Sequence, residues 1–354
     1  MPTIFFTGGG TAGHVTPNVA LIEHLQGKGW NCHYVGSNTG VERELTASLS
    51  VPFYGIASGK LRRYFSWQNF VDPLFILFGC LQSLWLCLRY RPNLVFSKGG
   101  FVSVPVVFAA WLCRIPTVCH ESDITPGLAN KLSFPFCRQL CVNFQETLKY
   151  LPARMRDKVT VTGSPLRAGL RNVDANRGRT FLQVETELPV LFIVGGSLGA
   201  RAINECVWEN LSWLTEQWEV VHLVGNGNLN TEASRPGYQQ YEYLADPYGD
   251  VLACADMVVS RAGANAIFEL LTFGKRHLLI PLTAAASRGD QIINARIMAA
   301  AGVSSVLTED ELGEDTLRAA LNHQDESNLE TMRELARTDA LNRISDILEA
   351  QLPA

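Results

Sequence analysis

The sequence predicts an α/β protein of two doubly wound, parallel-sheet domains, and three observations carry that expectation. At 354 residues the chain exceeds what one hydrophobic core comfortably holds. Two units open alike, TIFFTGGGTAGHVTPNVALIEHLQ from Thr3 and PVLFIVGGSLGARAINECV from Pro189: an apolar strand, paired glycines, a small polar residue, another glycine, then a helical run. Around them, short β-rich apolar runs ending in Gly, Ser or Pro alternate with helical segments, the pattern of parallel strands covered on both faces.

In chain order, the apolar run Ile4–Phe6 is a first strand, followed by the glycines and a helix. Further strands of the first half are expected at Cys32–Ser37, Leu94–Ser97, Thr117–Glu121 and Val159–Pro165. The second half repeats the alternation at Val220–Gly225, Met257–Ser260 and His277–Pro281. Gly163 and Pro165 break the pattern within TGSPLRAGL, so the hinge falls there, dividing the chain into 1–163 and 164–337. The tail, 338–354, reads as an amphipathic helix that packs back on the first domain.

Composition narrows the function. A formal charge of −4 provides no general basic field, which argues against a nucleic-acid partner. Nine cysteines in a chain of this length do not make a disulfide scaffold, and several lie in apolar runs as reduced, buried thiols. The N-terminus lacks a basic region and a cleavage site, so a cytoplasmic protein is expected. The apolar stretch Leu74–Leu88 is short for a membrane span and contains Gln82 and Ser83; it reads as a buried or surface-lying helix.

Gly8, Gly10 and Gly13 fit the G-x-G-x-x-G spelling of a dinucleotide site. Missing Cβ atoms let backbone approach a phosphate or sugar, and the following helix offers unpaired N–H groups. The nicotinamide version also needs an acid about 20 positions on to bond the ribose. Here the second strand ends in Gly36 and Ser37, and the nearest acid beyond, Glu42, already lies in the next helical stretch. A dehydrogenase is therefore disfavoured. His14 can simply cap or pack at a helix start, but it stands at a glycine mouth where open α/β sheets bind ligands, and it can accept a proton near neutral pH.

The second half adds SRAGANAIFELLTFGKRHLLIP from Ser260, with Glu269 a turn or two into a helix, and AASRGDQIINA from Ala285, with Asp290 and Gln291 before another. A carboxylate suits paired ribose hydroxyls and a glutamine amide suits sugar hydroxyls; an exposed helix residue is the plain alternative for Glu269.

Seven segments, GGGTAGHVTP, SKGGFVSVPVV, HESDITPGLANK, TGSPLR, GGSLGARAIN, SRAGANAIFE and DQIINA, stand in the order found in the MurG family, and the chain resembles that family over nearly its whole length. The resemblance implies two Rossmann-like domains of the GT-B type facing across a cleft. It implies UDP-GlcNAc held mainly by the second domain and lipid I (undecaprenyl-diphosphoryl-MurNAc-pentapeptide) by the first. Glu269 would then bind the ribose, the backbone near Leu244 the uracil, and Ser197 the diphosphate, with Arg167 close to the nucleotide. Gln291 and the Ala264 region would touch the GlcNAc hydroxyls, while Thr11, Ala12 and Gly13 close on the donor. Asp123 falls where some members have asparagine, Ala262 where some have serine, and Asp290 where others have a second glutamine.

The implied reaction moves GlcNAc to the MurNAc 4-hydroxyl with inversion, giving lipid II, and needs a base and stabilisation of the departing UDP. His14 is the candidate base, with Asp123 and Glu121 as weaker rivals or as groups that orient it. No Asp-x-Asp pair ends a strand, so neither a metal nor a cofactor is expected. Lys60, Arg62 and Arg63 beside Tyr64, Phe65 and Trp67 directly precede Leu74–Leu88, a combination suited to an anionic inner-membrane surface. Alternatives are another UDP-sugar enzyme of this fold, such as a lipid glycosyltransferase or a UDP-GlcNAc 2-epimerase, and a non-catalytic sugar-nucleotide-binding subunit.

Overall fold

The computed structural model describes residues 1–59, 68–170, 172–196, 198–322, 328–336 and 339–352. Contacts divide the chain into two units, residues 1–167 with 339–354, and residues 168–338.

The first unit is built on seven parallel strands: β1 (Thr3–Thr7), β2 (Asn31–Ser37), β3 (Phe53–Ile56), β4 (Leu94–Ser97), β5 (Thr117–Glu121), β6 (Gln139–Val142) and β7 (Val159–Val161). Their order is β3-β2-β1-β4-β5-β6-β7. Alternation along β1 shows why these runs are apolar throughout. Ile4 and Phe6 enter one core cluster with Val15, Leu21 and Leu25 of the helix Ala12–Gly27. Phe5 points the other way, to Leu86, Val102 and Val106 on the opposite side of the sheet.

The helix Ala340–Ala350 supplies Ile344 and Leu348 to the cluster that holds Ile4 and Phe6. Each is fully buried, worth roughly 1.5–3 kcal/mol apiece in removed apolar surface. The pair between Lys28 Nζ and Glu349 Oε1 at 2.9 Å is exposed and adds little beside that.

The second unit holds six parallel strands: β8 (Val190–Val194), β9 (Glu219–Leu223), β10 (Tyr238–Tyr241), β11 (Met257–Ser260), β12 (His277–Leu279) and β13 (Ser305–Val306), in the order β10-β9-β8-β11-β12-β13. In each sheet the strand order reverses beside the first strand, between β1 and β4 and between β8 and β11. Connections leave on opposite sides there, opening a crevice at the carboxyl ends of the strands.

The last strand of the first unit is shorter than its sequence pattern: β7 stops at Val161 instead of reaching Pro165. Thr162 N and Gly163 N both donate to the Val142 carbonyl, and Gly163 turns out with φ +79°. Two edge strands escape the apolar pattern, because β10 reads YQQY and β13 has only two residues.

Two buried histidines make the second unit acid-sensitive. His222 bonds Tyr238 Oη and Asn204 Oδ1, each at 3.0 Å, and burial pulls it down to about 3. His277 meets the Lys275 carbonyl and Ser304 Oγ, and burial pulls it down to about 4. The unfolded chain takes up these protons below the usual value of 6.5, and the folded chain does not. Stability is therefore full above that pH and falls as pH drops toward 4, at about 1.4 kcal/mol per pH unit for each histidine. Between pH 7 and pH 5, wild type should lose about 2 kcal/mol more unfolding free energy than His277→Gln, measured by urea melts. A pH-independent difference would show that His277 titrates alike in the folded and unfolded chain, against the lowering by burial.

Candidate active site

At the crevice of the first unit, the loops after β1 and β4 touch backbone to backbone. Gly9 N donates to the Gly99 carbonyl at 3.3 Å, and a Cβ on Gly100, which sits at φ +84°, would overlap the Gly9 carbonyl. That close approach accounts for Gly100 in KGG. The helix Ala12–Gly27 starts immediately beyond, with exposed Thr11 at its N-cap and no side chain capping it. Within that first turn His14 N donates to the Thr11 carbonyl at 3.1 Å.

Beneath this loop lies Glu42, fully buried. Its Oε1 accepts from Ser37 N at 2.7 Å and Ser37 Oγ at 2.6 Å, and its Oε2 from Gly10 N at 3.4 Å. A Cβ on Gly9 would come within 2.5 Å of the carboxylate. The first acid after β2 is thus sealed under the glycine loop and holds it from below. It is closed to a ribose, which removes the dinucleotide reading on geometry.

His14 stands half-buried in the first helical turn, with Nδ1 3.1 Å from the Lys98 carbonyl. A carbonyl only accepts, so Nδ1 carries the proton and Nε2 keeps the lone pair that a base requires. Lys98 is fully buried at the end of β4. Its ammonium donates to His120 Nδ1 at 2.7 Å and to Ser122 Oγ, while His120 Nε2–H donates to the Gly163 carbonyl at 3.0 Å. Burial pulls Lys98 down to about 7, with Glu121 and then Asp123 pulling the other way. Burial, and then the Lys98 charge, holds His120 well below its ordinary range.

Glu121 is buried at the end of β5. Its oxygens accept from Asp123 N at 3.0 Å, Gly127 N at 2.9 Å and Asn130 Nδ2 at 2.9 Å. It folds its own loop, while the Lys98 carbonyl lies within hydrogen-bond distance of His14 Nδ1. Asp123 is half-buried in the same loop, and Arg167 is half-buried two residues past Pro165.

In the second unit, the loop after β8 passes Gly199 at φ +77°, where a Cβ would overlap the Val224 carbonyl, so this glycine turn leans on the end of β9. Ser197 lies outside the described residues, as do Lys60, Arg62, Arg63 and Trp67. After β11 the helix Ala264–Thr272 begins, with Gly263 at its N-cap and no capping side chain. Arg261 pins this corner by pairing with Glu309 and donating to the Ile280 carbonyl at 3.1 Å.

Glu269 is 6% exposed, which excludes the plain surface reading, and the Tyr248 hydroxyl donates to its Oε2 at 3.0 Å. Gln291, second in the helix Asp290–Ala300, accepts from Leu282 N at 3.0 Å. Asp290 lies 3.6 Å from the Arg288 guanidinium, and Leu244 is buried in the turn after β10. Ala264, Glu269 and Gln291 thus belong to the helices that follow β11 and β12. Thr11, Ala12, Gly13, His14 and Asp123 follow β1 and β5 of the other sheet.

Sequence reasoning passed over Lys98, His120 and Tyr248, and met Glu42 only as a displaced ribose acid. One signal was present for Lys98: a cation at the carboxyl end of an apolar strand, followed by two glycines. Gly100→Ala should cost at least about 2 kcal/mol, because it adds a backbone overlap to a left-handed φ. Gly27→Ala, with nothing within 4 Å of its Cβ, should be neutral or slightly stabilising. Thermal melts of the two variants check this; equal melting temperatures would refute the loop contact.

A family model described as the glycosyltransferase family 28 N-terminal domain matches residues 4–142, and one described as the family 28 C-terminal domain matches residues 190–350. The chain is 48% identical over 321 residues to the UDP-N-acetylglucosamine–N-acetylmuramyl-(pentapeptide) pyrophosphoryl-undecaprenol N-acetylglucosamine transferase of Legionella pneumophila (strain Lens). That alignment covers 90% of this chain and 88% of the relative. It is 46% identical over 347 residues to the transferase of the same name in Geobacillus kaustophilus (strain HTA426), covering 98% and 96%. Among solved structures it is similar to Acinetobacter baumannii MurG, with a TM-score of 0.75 and 24% identity over 99% of this chain and 100% of that one.

Proposed function

The chain belongs to the MurG family of glycosyltransferases, and from that premise we propose how its own residues carry the reaction. It is an N-acetylglucosaminyltransferase that moves GlcNAc from UDP-GlcNAc to lipid I, making lipid II for peptidoglycan. The observation that carries this function is identity of 46–48% along at least nine-tenths of the chain with transferases of that name. These relatives support transfer, not the epimerase alternative.

In our reading the donor lies at the carboxyl end of the second sheet. Glu269 takes the ribose hydroxyls, supported by its burial and by the Tyr248 hydroxyl that orients it. Ser197 meets the diphosphate, the backbone at Leu244 the uracil, and Gln291 and Ala264 the sugar. The acceptor's 4-hydroxyl oxygen attacks C1 of GlcNAc as the bond from C1 to the diphosphate oxygen breaks, inverting that carbon. His14 Nε2 takes the hydroxyl proton, and UDP departs with the bonding pair. Arg167 and the open helix N-termini offset the charge that develops on it. The tautomer set by the Lys98 carbonyl supports His14 as base.

With radiolabelled UDP-GlcNAc and a lipid I analogue, His14→Ala should lower kcat by about 10²–10⁴-fold and leave the donor KM little changed. Glu269→Ala should do the converse, raising the donor KM by about 10–100-fold. Near-normal turnover in the first variant removes His14 from the chemistry.

We also propose peripheral attachment to the cytoplasmic face of the cell membrane, through an anionic lipid surface. Among the described residues no helix is long and apolar enough to cross a membrane. The helix Gln68–Tyr90 nevertheless leaves Leu74, Leu77, Phe78, Leu81, Trp85 and Leu88 exposed, a spacing that puts them on one face. The basic and aromatic residues Lys60–Trp67 precede it in sequence. Wild type should pellet with anionic vesicles and the Lys60/Arg62/Arg63→Glu variant should not; equal binding would end the attachment reading.

A further inference from the structure

We propose that Lys98 is a positioning residue of the transferase: its buried ammonium, held between His120 and Ser122, fixes the peptide carbonyl that orients His14. The inference rests on His14 as the base and adds the group that sets its tautomer.

A methionine or leucine would fill the Lys98 volume without the several kcal/mol needed to bury an ammonium. The charge therefore contributes something that packing does not require. Its partners lie at the ends of other strands. His120 is in β5, Ser122 follows it, and His120 is itself held by the Gly163 carbonyl beyond β7. The side chain is tied at both ends, by these groups and by Lys98 N, which donates to the Thr7 carbonyl at 2.9 Å.

The carbonyl of Lys98 is the weak point of this segment. It belongs to the Lys98–Gly99 peptide, whose N–H makes only a long 3.4 Å bond to Ser97 Oγ, and the next two residues are glycines, Gly99 at φ +92° and Gly100 at φ +84°. Rotation of that peptide would turn the carbonyl away from His14 Nδ1. The anchored lysine stem opposes the rotation from one side, and the 3.3 Å bond from Gly9 N to the Gly99 carbonyl from the other. With the carbonyl in place, the His14 proton stays on Nδ1 and Nε2 remains able to accept. Without it both tautomers are populated, and the ring loses its fixed direction.

The test is a double-mutant cycle on the full chain, with His14→Ala, Lys98→Met and the double variant assayed with UDP-GlcNAc and a lipid I analogue. Lys98→Met should lower kcat by about 10–100-fold and change the donor KM less than about threefold. In the His14→Ala background it should cost less than about threefold more, because the two act as one unit. Long-range ¹H–¹⁵N spectra should show His14 changing from the Nδ1–H form to a mixture of tautomers. Where Lys98→Met fails to fold by thermal melt, Ser122→Ala, which removes one acceptor from the ammonium, carries the same cycle. A full Lys98 effect on top of His14→Ala, or an unchanged His14 tautomer, overturns the proposal while leaving the base assignment intact. Normal turnover in His14→Ala overturns both.

Discussion

The first unit depends on one close approach, the passage of the Gly9 backbone against Gly99 and Gly100 where the strand order reverses. A side chain at Gly100 would force the loops after β1 and β4 apart, and one at Gly9 would meet the Glu42 carboxylate. Glu42 completes the constraint from beneath. Its carboxylate replaces water for Gly10 N and Ser37 N, so the loop is bonded on the side away from the crevice. The helix start at Thr11 and the imidazole of His14 follow directly from this held loop.

The second unit solves the same problem with different parts. Gly199 lies against Val224 and Gly225, so its glycine turn leans on β9 instead of on the loop across the switch point. Its buried carboxylate, Glu269, lies in the helix after β11 and accepts from a tyrosine hydroxyl. Similar strand–glycine–helix openings thus place their buried acids differently, Glu42 beneath the glycine loop and Glu269 in the helix after β11.

Buried polar groups carry the cost of this design. Lys98, His120, Glu121 and Glu42 are nearly or fully removed from water at the carboxyl end of the first sheet. Each is stabilised by named partners: His120 with Lys98 and Gly163, Glu121 with its loop amides and Asn130, Glu42 with Ser37 and Gly10. Such a network holds the loops in one arrangement, since a shift of any member strands a buried donor or acceptor.

The sequence by itself determined the alternation of strands and helices, the two glycine openings, the amphipathic tail and the candidate residues His14, Glu269 and Gln291, because apolar periodicity and glycine placement are local properties. It also showed that the acid a nicotinamide site requires is displaced to Glu42. Only the tertiary structure decided what that acid does, that Glu121 serves its own loop, and that Lys98 lies behind His14. Those outcomes turn on distances between strand ends far apart in the chain. Hydrogen-bond partners for a buried charge are chosen by the packing of a parallel sheet, whose neighbours are not neighbours in sequence.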